Sequence, residues 1–134
     1  DARVASEEAY FEIPAIRLGL LYNPDSVALL WSRLGYAALS RLLLLGERWN
    51  AETALQVGLV GWVVPEGCAH EKALGIVMKI LNAPRALSAT KSLLLAIESG
   101  EKNLSKWIEI RKEILCSQER KDAVLEVKKR LEIS

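Results

Sequence analysis

The sequence is poor in the residue types most often recruited for chemistry. Histidine occurs once, at position 70, and cysteine twice, at 68 and 116, in 134 residues. His70 is thus the one histidine available as a base, and it falls in a polar connector, where an exposed imidazole is expected. Cys68 and Cys116 lie far apart in segments read as helical, a pattern that suits partly buried free thiols. Cys68 and His70 find no second pair of ligands, so no metal site is expected. The eight glycines form no phosphate-cradling loop and no Walker-type spacing. Charge of one sign is lacking too: 18 basic against 17 acidic residues leave a net charge of +1. Without a basic excess to neutralise phosphates, nucleic acid is not expected as a partner. The longest apolar runs, such as Leu42 to Leu45, are far too short to span a bilayer. The start of the chain carries no apolar stretch of signal-peptide type, so a cytoplasmic location without a membrane partner is expected.

What is present is a globular composition, with 51% hydrophobic and 26% charged residues. That is enough apolar surface for a core in a chain of this length. Residues 2–21 show little helical periodicity. Arg3-Val4-Ala5 and residues 10–13 read as short strands around the polar turn Ser6-Glu7-Glu8, and residues 15–18, between Pro14 and Gly19, read as extended. From Asp25 onward the pattern becomes helical and glycine-punctuated. Asp25 or Ser26 is the expected cap of a helix ending at Gly35, and residues 36–45 form a second, closed by Gly46. Asn50 caps a short helix over residues 51–57 that Gly58 ends, with Glu52 near its positive end. A strand over residues 59–64 is broken by Pro65 and Gly67. Amphipathic helices complete the chain, with stripes such as Leu87, Leu94 and Ile97, or Leu104, Trp107, Ile108 and Ile114. Pro84 suits a first helical turn. The boundary between an extended-and-helical region (1–66) and a helical one (67–134) is drawn at the Pro65–Gly67 turn.

The carboxylates mostly occupy polar helix faces. Glu12 and Asp25 fall instead in the irregular stretch before the helices, where a catalytic role competes with turn and cap roles that use the same residues. Trp31, Trp49, Trp62 and Trp107 suit either core packing or an interface. The run Lys128-Lys129-Arg130 reads as a solvated helix end that favours the helix dipole. Taken alone, composition and spacing describe a soluble, helix-rich α+β domain.

The order of several motifs adds a family. Residues 1–11 resemble the pattern D-x-R-x-A-x-x-x-A-x-F, and residues 13–20 a P-E-x-x-L-G-L stretch. Residues 51–65 are similar to A-x-x-A-x-x-x-G-L-V-x-x-V-V-P, the most specific piece. Asn82-Ala83-Pro84 with Lys91, and residues 119–123, resemble the N-x-P…K and D-x-x-E-G elements. Together these identify a resemblance to the C-terminal half of the enoyl-CoA hydratase/isomerase (crotonase) superfamily. The resemblance implies the last ββα turn of a ClpP/crotonase-like spiral, followed by a helical oligomerisation region. It also implies acyl-CoA thioesters as substrates, with no resident cofactor, and a place in fatty acid metabolism. A trimer-type homo-oligomer or a complementary N-terminal half is the implied partner.

In that family two backbone N–H groups stabilise the thioester enolate, and both are expected upstream of Asp1. Of the two glutamates that hydratases use, the first is expected upstream as well. The second corresponds to Ala15, which cannot exchange a proton. The residues implied to carry chemistry are therefore few: Asp25 as a displaced carboxylate, and Lys128 and Lys129 as contacts for CoA phosphates. The sequence begins with aspartate and is expected to be a fragment or a processed product. Two functional readings stand side by side: part of an acyl-CoA enzyme that is not an active hydratase by itself, or a non-catalytic truncated homologue that serves as an oligomerisation and interaction module. Unpaired strand edges and apolar stripes imply at least a dimer.

Overall fold

Short strands far apart in sequence pair first with one another and then with a helix that follows one of them. In the computed structural model, which describes residues 2–132, β1 (Val4–Ser6) runs parallel to β4 (Trp62–Val64), with Ala5 opposite Val63. β2 (Tyr10–Phe11) runs antiparallel to β3 (Trp49–Asn50), with Phe11 opposite Trp49. Asp1 of the first motif and the side chain of Arg130 in the basic run lie outside the described residues. The Arg3 guanidinium donates to the Leu59 and Gly58 carbonyls, and Gly61 N–H donates to the Arg3 carbonyl at 2.9 Å. These bonds tie the first strand to the end of the following helix.

That helix, α2 (Ala51–Gln56), packs against β2, β3 and β4. Asn50 caps it as expected: its Oδ1 accepts from Thr53 N–H at 2.8 Å, and Glu52 occupies the first turn. Ala5, Ala51, Ala54 and Val60 form the buried cluster here, with Phe11, Leu59 and Val63 packed around it. The small residues let strand and helix approach closely. The strand expected over residues 59–64 is shorter, Trp62–Val64 alone. Leu59 and Val60 still donate to the Ala54 carbonyl, at 2.8 and 3.2 Å, so the chain is completing the helix end there.

The segment expected to be extended at residues 15–18 is instead a 3-10 helix, Pro14–Leu18. Pro14 sets the helical φ at its first position, and Gly19 closes it in the left-handed region at φ 66°. Next comes α1 (Pro24–Leu43), two helical halves that meet at Gly35, whose φ of 71° and ψ of 175° break the helix where the sequence places a stop. The cap is Asn23, not Asp25 or Ser26. Its Oδ1 accepts from both of their N–H groups, at 2.9 and 3.1 Å, because Pro24 takes the first helical position and places the cap on the residue before it. Leu39 and Leu42 of α1 are buried, as is Trp49.

By packing, the chain divides into two compact units, Asp1–Gly75 and Ile76–Ser134, so the division falls inside α3 (Ala69–Met78). Cys68 precedes α3 rather than lying in it, and its carbonyl accepts from Lys72 N–H at 3.0 Å. His70 belongs to the first turn of α3, not to a connector, and is exposed. In the second unit α5 (Ser105–Cys116) packs against both α4 (Pro84–Glu98) and α6 (Gln118–Glu132).

No side chain of α3, α4 or α5 is buried. Leu94 of α4 remains 62% exposed and Leu131 of α6 remains 72% exposed, although each lies on an apolar stripe. No helix among the described residues is long and apolar enough to cross a membrane.

Candidate functional site

In the first unit, the residues singled out by sequence fall between β2 and the start of α1. Pairing with β3 fixes β2 and aims the chain into the 3-10 helix. Ala15 lies in that helix with its methyl buried at 8% exposure, so it presents packing surface and no ionisable group. Its carbonyl accepts from Leu20 N–H at 2.9 Å, which folds the following turn back on the helix. Glu12 is ion-paired with Arg17 across the same helix, a partnership that sequence spacing did not disclose. Asp25 projects from the first turn of α1, exposed and near the positive end of the helix. Of the two carboxylates of this segment, Glu12 is committed to a cation and Asp25 faces solvent.

Beneath the segment lies an electrostatic cluster that the sequence reading missed. The Arg41 guanidinium donates from Nε to both oxygens of Glu47, at 3.2 and 2.9 Å, and its terminal nitrogen stands 2.8 Å from Oε2. Trp49 Nε1–H donates to the same Oε2 at 3.2 Å, and the guanidinium carbon is 5.9 Å from the centroid of the Trp49 ring. The hydrogen bond from Arg41 holds the Glu47 carboxyl below the usual glutamate range, and the bond from Trp49 adds to it. Arg41 is correspondingly raised by its bond to Glu47. Between the two residues the chain passes through Gly46. Its φ is 60°, and an added Cβ would stand 3.3 Å from Ile16 Cγ2, so the turn needs both the left-handed conformation and the missing side chain. A separation of six residues is not a helical pairing distance, which is why periodicity did not reveal the bridge.

In the second unit, Lys128 and Lys129 are exposed on α6. Lys128 lines a trough of about 310 Å³ among α4, α5 and α6; Lys129 is not among the lining residues. Two carboxylates of α6 fasten the start of α4. Glu119 Oε1 accepts from Arg85 N–H at 3.0 Å, and Glu126 Oε2 accepts from Asn82 Nδ2 at 3.1 Å. The N-cap position of α4 is Ala83, which has no side-chain acceptor, so Glu119 fills the cap role from 34 residues away. The two motifs read separately in sequence, Asn82-Ala83-Pro84 and residues 119–123, thus meet in space. A second groove of about 440 Å³ lies between α4 and α5, lined by Leu93, Leu104, Trp107, Ile108 and Leu115 among others. The Trp107 Nε1–H is buried there without a hydrogen-bond partner.

Known proteins align with this arrangement. A sequence model of the family described as enoyl-CoA hydratase/isomerase matches residues 1–130. The 2,3-dehydroadipyl-CoA hydratase of Escherichia coli (strain K12) is 36% identical over 106 residues, covering 75% of this chain and 42% of its own. The carnitinyl-CoA dehydratase of Proteus mirabilis (strain HI4320) is 32% identical over 108 residues, covering 76% of this chain and 41% of its own. The crystal structure of an enoyl-CoA hydratase from Mycobacterium tuberculosis H37Rv superposes with a TM-score of 0.80 at 26% identity, covering 97% of this chain and 53% of that one. The helix-rich α+β fold expected from the sequence is the fold these neighbours share. The chain spans about two-fifths of the length of the curated relatives and about half of the solved one.

Proposed function

The chain belongs to the enoyl-CoA hydratase/isomerase family, and from that premise we propose that it works as the C-terminal portion of a unit acting on acyl-CoA thioesters, completed by further polypeptide. The observation that supports this is the apolar surface the second unit leaves open: no side chain of α4 or α5 is buried, and Leu94 and Leu131 remain 62% and 72% exposed on their stripes. Apolar stripes left open in this way mark surfaces that another polypeptide covers. The cover comes from a complementary N-terminal half or from further copies in a trimer-type homo-oligomer.

In this reading the turn from Glu12 to Ser26 forms one wall of the thioester site, held by the 3-10 helix and the Asn23 cap. The completing polypeptide supplies the backbone donors for the enolate oxygen, groups commonly worth about 3 kcal/mol each in the transition state. Water is not activated from position 15, because the Ala15 methyl carries no proton to exchange. Asp25 is the carboxylate of this wall left free to take or return a proton, and its exposure leaves room for substrate. Lys129, which lies outside the α6 trough, offers a cation to the CoA phosphates.

A second reading, a non-catalytic oligomerisation module, draws support from the apolar α4–α5 groove with its unpartnered Trp107 N–H, since an acceptor from another chain would relieve the cost of that buried donor.

The test combines light scattering with calorimetry. The isolated chain is expected to form a dimer or larger species and to give no saturable heat with crotonyl-CoA. A stable monomer that binds crotonyl-CoA overturns the proposal. In the completed assembly, Asp25→Ala is expected to lower turnover by about 100-fold or more. An unchanged rate removes Asp25 from the chemistry, and an assembly with no turnover on any acyl-CoA favours the module.

A further inference from the structure

The trough among α4, α5 and α6 combines apolar walls with charged groups from α6. Its walls are Ala83, Ala86, Ile114, Ala123, Val124 and Val127, a run of small and branched apolar groups around about 310 Å³. That volume lies at the lower end of the range of small-molecule sites, roughly 300–1,000 Å³. Three charged residues also line it: Arg120 and Lys128 from α6, and Glu119. Glu119 already accepts from the Arg85 amide, so the trough's one carboxylate is engaged with the helix start. No carboxylate among the described residues pairs with the side chain of Arg120 or Lys128. The two cations are eight residues apart on one helix, about 12 Å along its axis. Apolar walls beside an unneutralised cation complement a ligand that is apolar along its length and singly negative at one end.

We propose that this trough binds an aliphatic monoanion, a hydrocarbon chain with a carboxylate head, laid along α6 against Val124 and Val127 with its head on Lys128 or Arg120. The chain desolvates the alanine and valine walls, and the head neutralises a cation that otherwise faces water. Nothing in this depends on the thioester site: the ligand is a free carboxylate, and every group that holds it lies in the second unit.

Decanoate, whose extended chain is about as long as the spacing of the two cations, is the probe. Titrated below its micelle concentration into the full chain by calorimetry, it is expected to saturate at one site per chain. Decanol, with the same chain and no charge, is expected to bind several-fold more weakly. Lys128→Glu is expected to weaken decanoate by about fivefold, as befits an exposed ion pair. Ala123→Phe, which fills the trough, is expected to abolish binding while circular dichroism shows the helices retained. No saturable binding to the unaltered chain overturns the proposal. So does equal affinity for decanol and decanoate, or displacement of decanoate by free coenzyme A, which would assign the cations to phosphate. If Ala123→Phe fails to fold, unchanged decanoate affinity in Lys128→Glu and Arg120→Glu still refutes it.

Discussion

Replacing Trp49 with alanine tests whether the first unit is held by the core described above. The indole is 1% exposed, stands opposite Phe11 in the β2–β3 pair, and donates to Glu47 at 3.2 Å. Truncating a buried tryptophan to alanine costs about 3–5 kcal/mol, the transfer of the ring plus the cavity it leaves. A domain's whole stability is about 5–15 kcal/mol, so this change removes a large share of it. With a urea slope of about 1–2 kcal/mol per molar, the midpoint should fall by about 2 M. Trp31→Ala is the internal control. Trp31 is 52% exposed and its aromatic contact is an edge-on pairing with Tyr36 at 5.6 Å, so its loss should cost about 1 kcal/mol. Urea melts followed by far-ultraviolet circular dichroism at fixed protein concentration report both. Equal midpoints for the two variants, or a cost below about 1 kcal/mol for Trp49→Ala, would refute the assignment of Trp49 to the centre of the unit.

Three further outcomes are expected. Asn50→Ala removes the acceptor of the Thr53 amide and should cost about 1 kcal/mol, with hydrogen exchange quickening first at the start of α2. Gly46→Ala forces a Cβ into the left-handed conformation and within 3.3 Å of Ile16 Cγ2, so it should destabilise by about 1–2 kcal/mol or more, read as a lower melting temperature. The third concerns acid. Because the folded Glu47 carboxyl is depressed, its contribution is complete above the ordinary glutamate value of about 4.3 and is lost as pH falls through the lower folded value. Glu47→Gln should therefore flatten stability against pH below about pH 4.3 while leaving the curve above pH 6 parallel to the parent; an unaltered acid limb refutes the Arg41–Glu47 assignment.

Glycine and asparagine made much of the fold legible. Gly35 and Gly46 sit at positive φ where the helical pattern halts, and Asn50 caps the helix it precedes. The same rules, applied fully, also reach Asn23: a proline at the first helical position puts the cap on the residue before it. The 3-10 helix at Pro14–Leu18 was not legible, since five residues contain no period and Pro14 with Gly19 suits a bend equally well. At the candidate site, Ala15 was legible only through family resemblance, because nothing in its residue type marks it, whereas Asp25 also stood out as a carboxylate in the irregular stretch before the helices. The Arg41–Glu47–Trp49 cluster and the Glu119 and Glu126 bonds to α4 were not legible at all. They join residues that only tertiary packing brings together, and a carboxylate on a helix looks alike in sequence whether it meets water or another helix's amide.

The Glu119 bond has a consequence for how the chain acquires structure. The first amides of α4 emerge during synthesis well before the residue that satisfies one of them, and α4 offers no acceptor of its own at Ala83. A ribosome-bound chain ending at Cys116 would therefore carry α4 and α5 with an open helix start. Only the arrival of α6 closes it, so a segment made later acts as the latch for one made earlier.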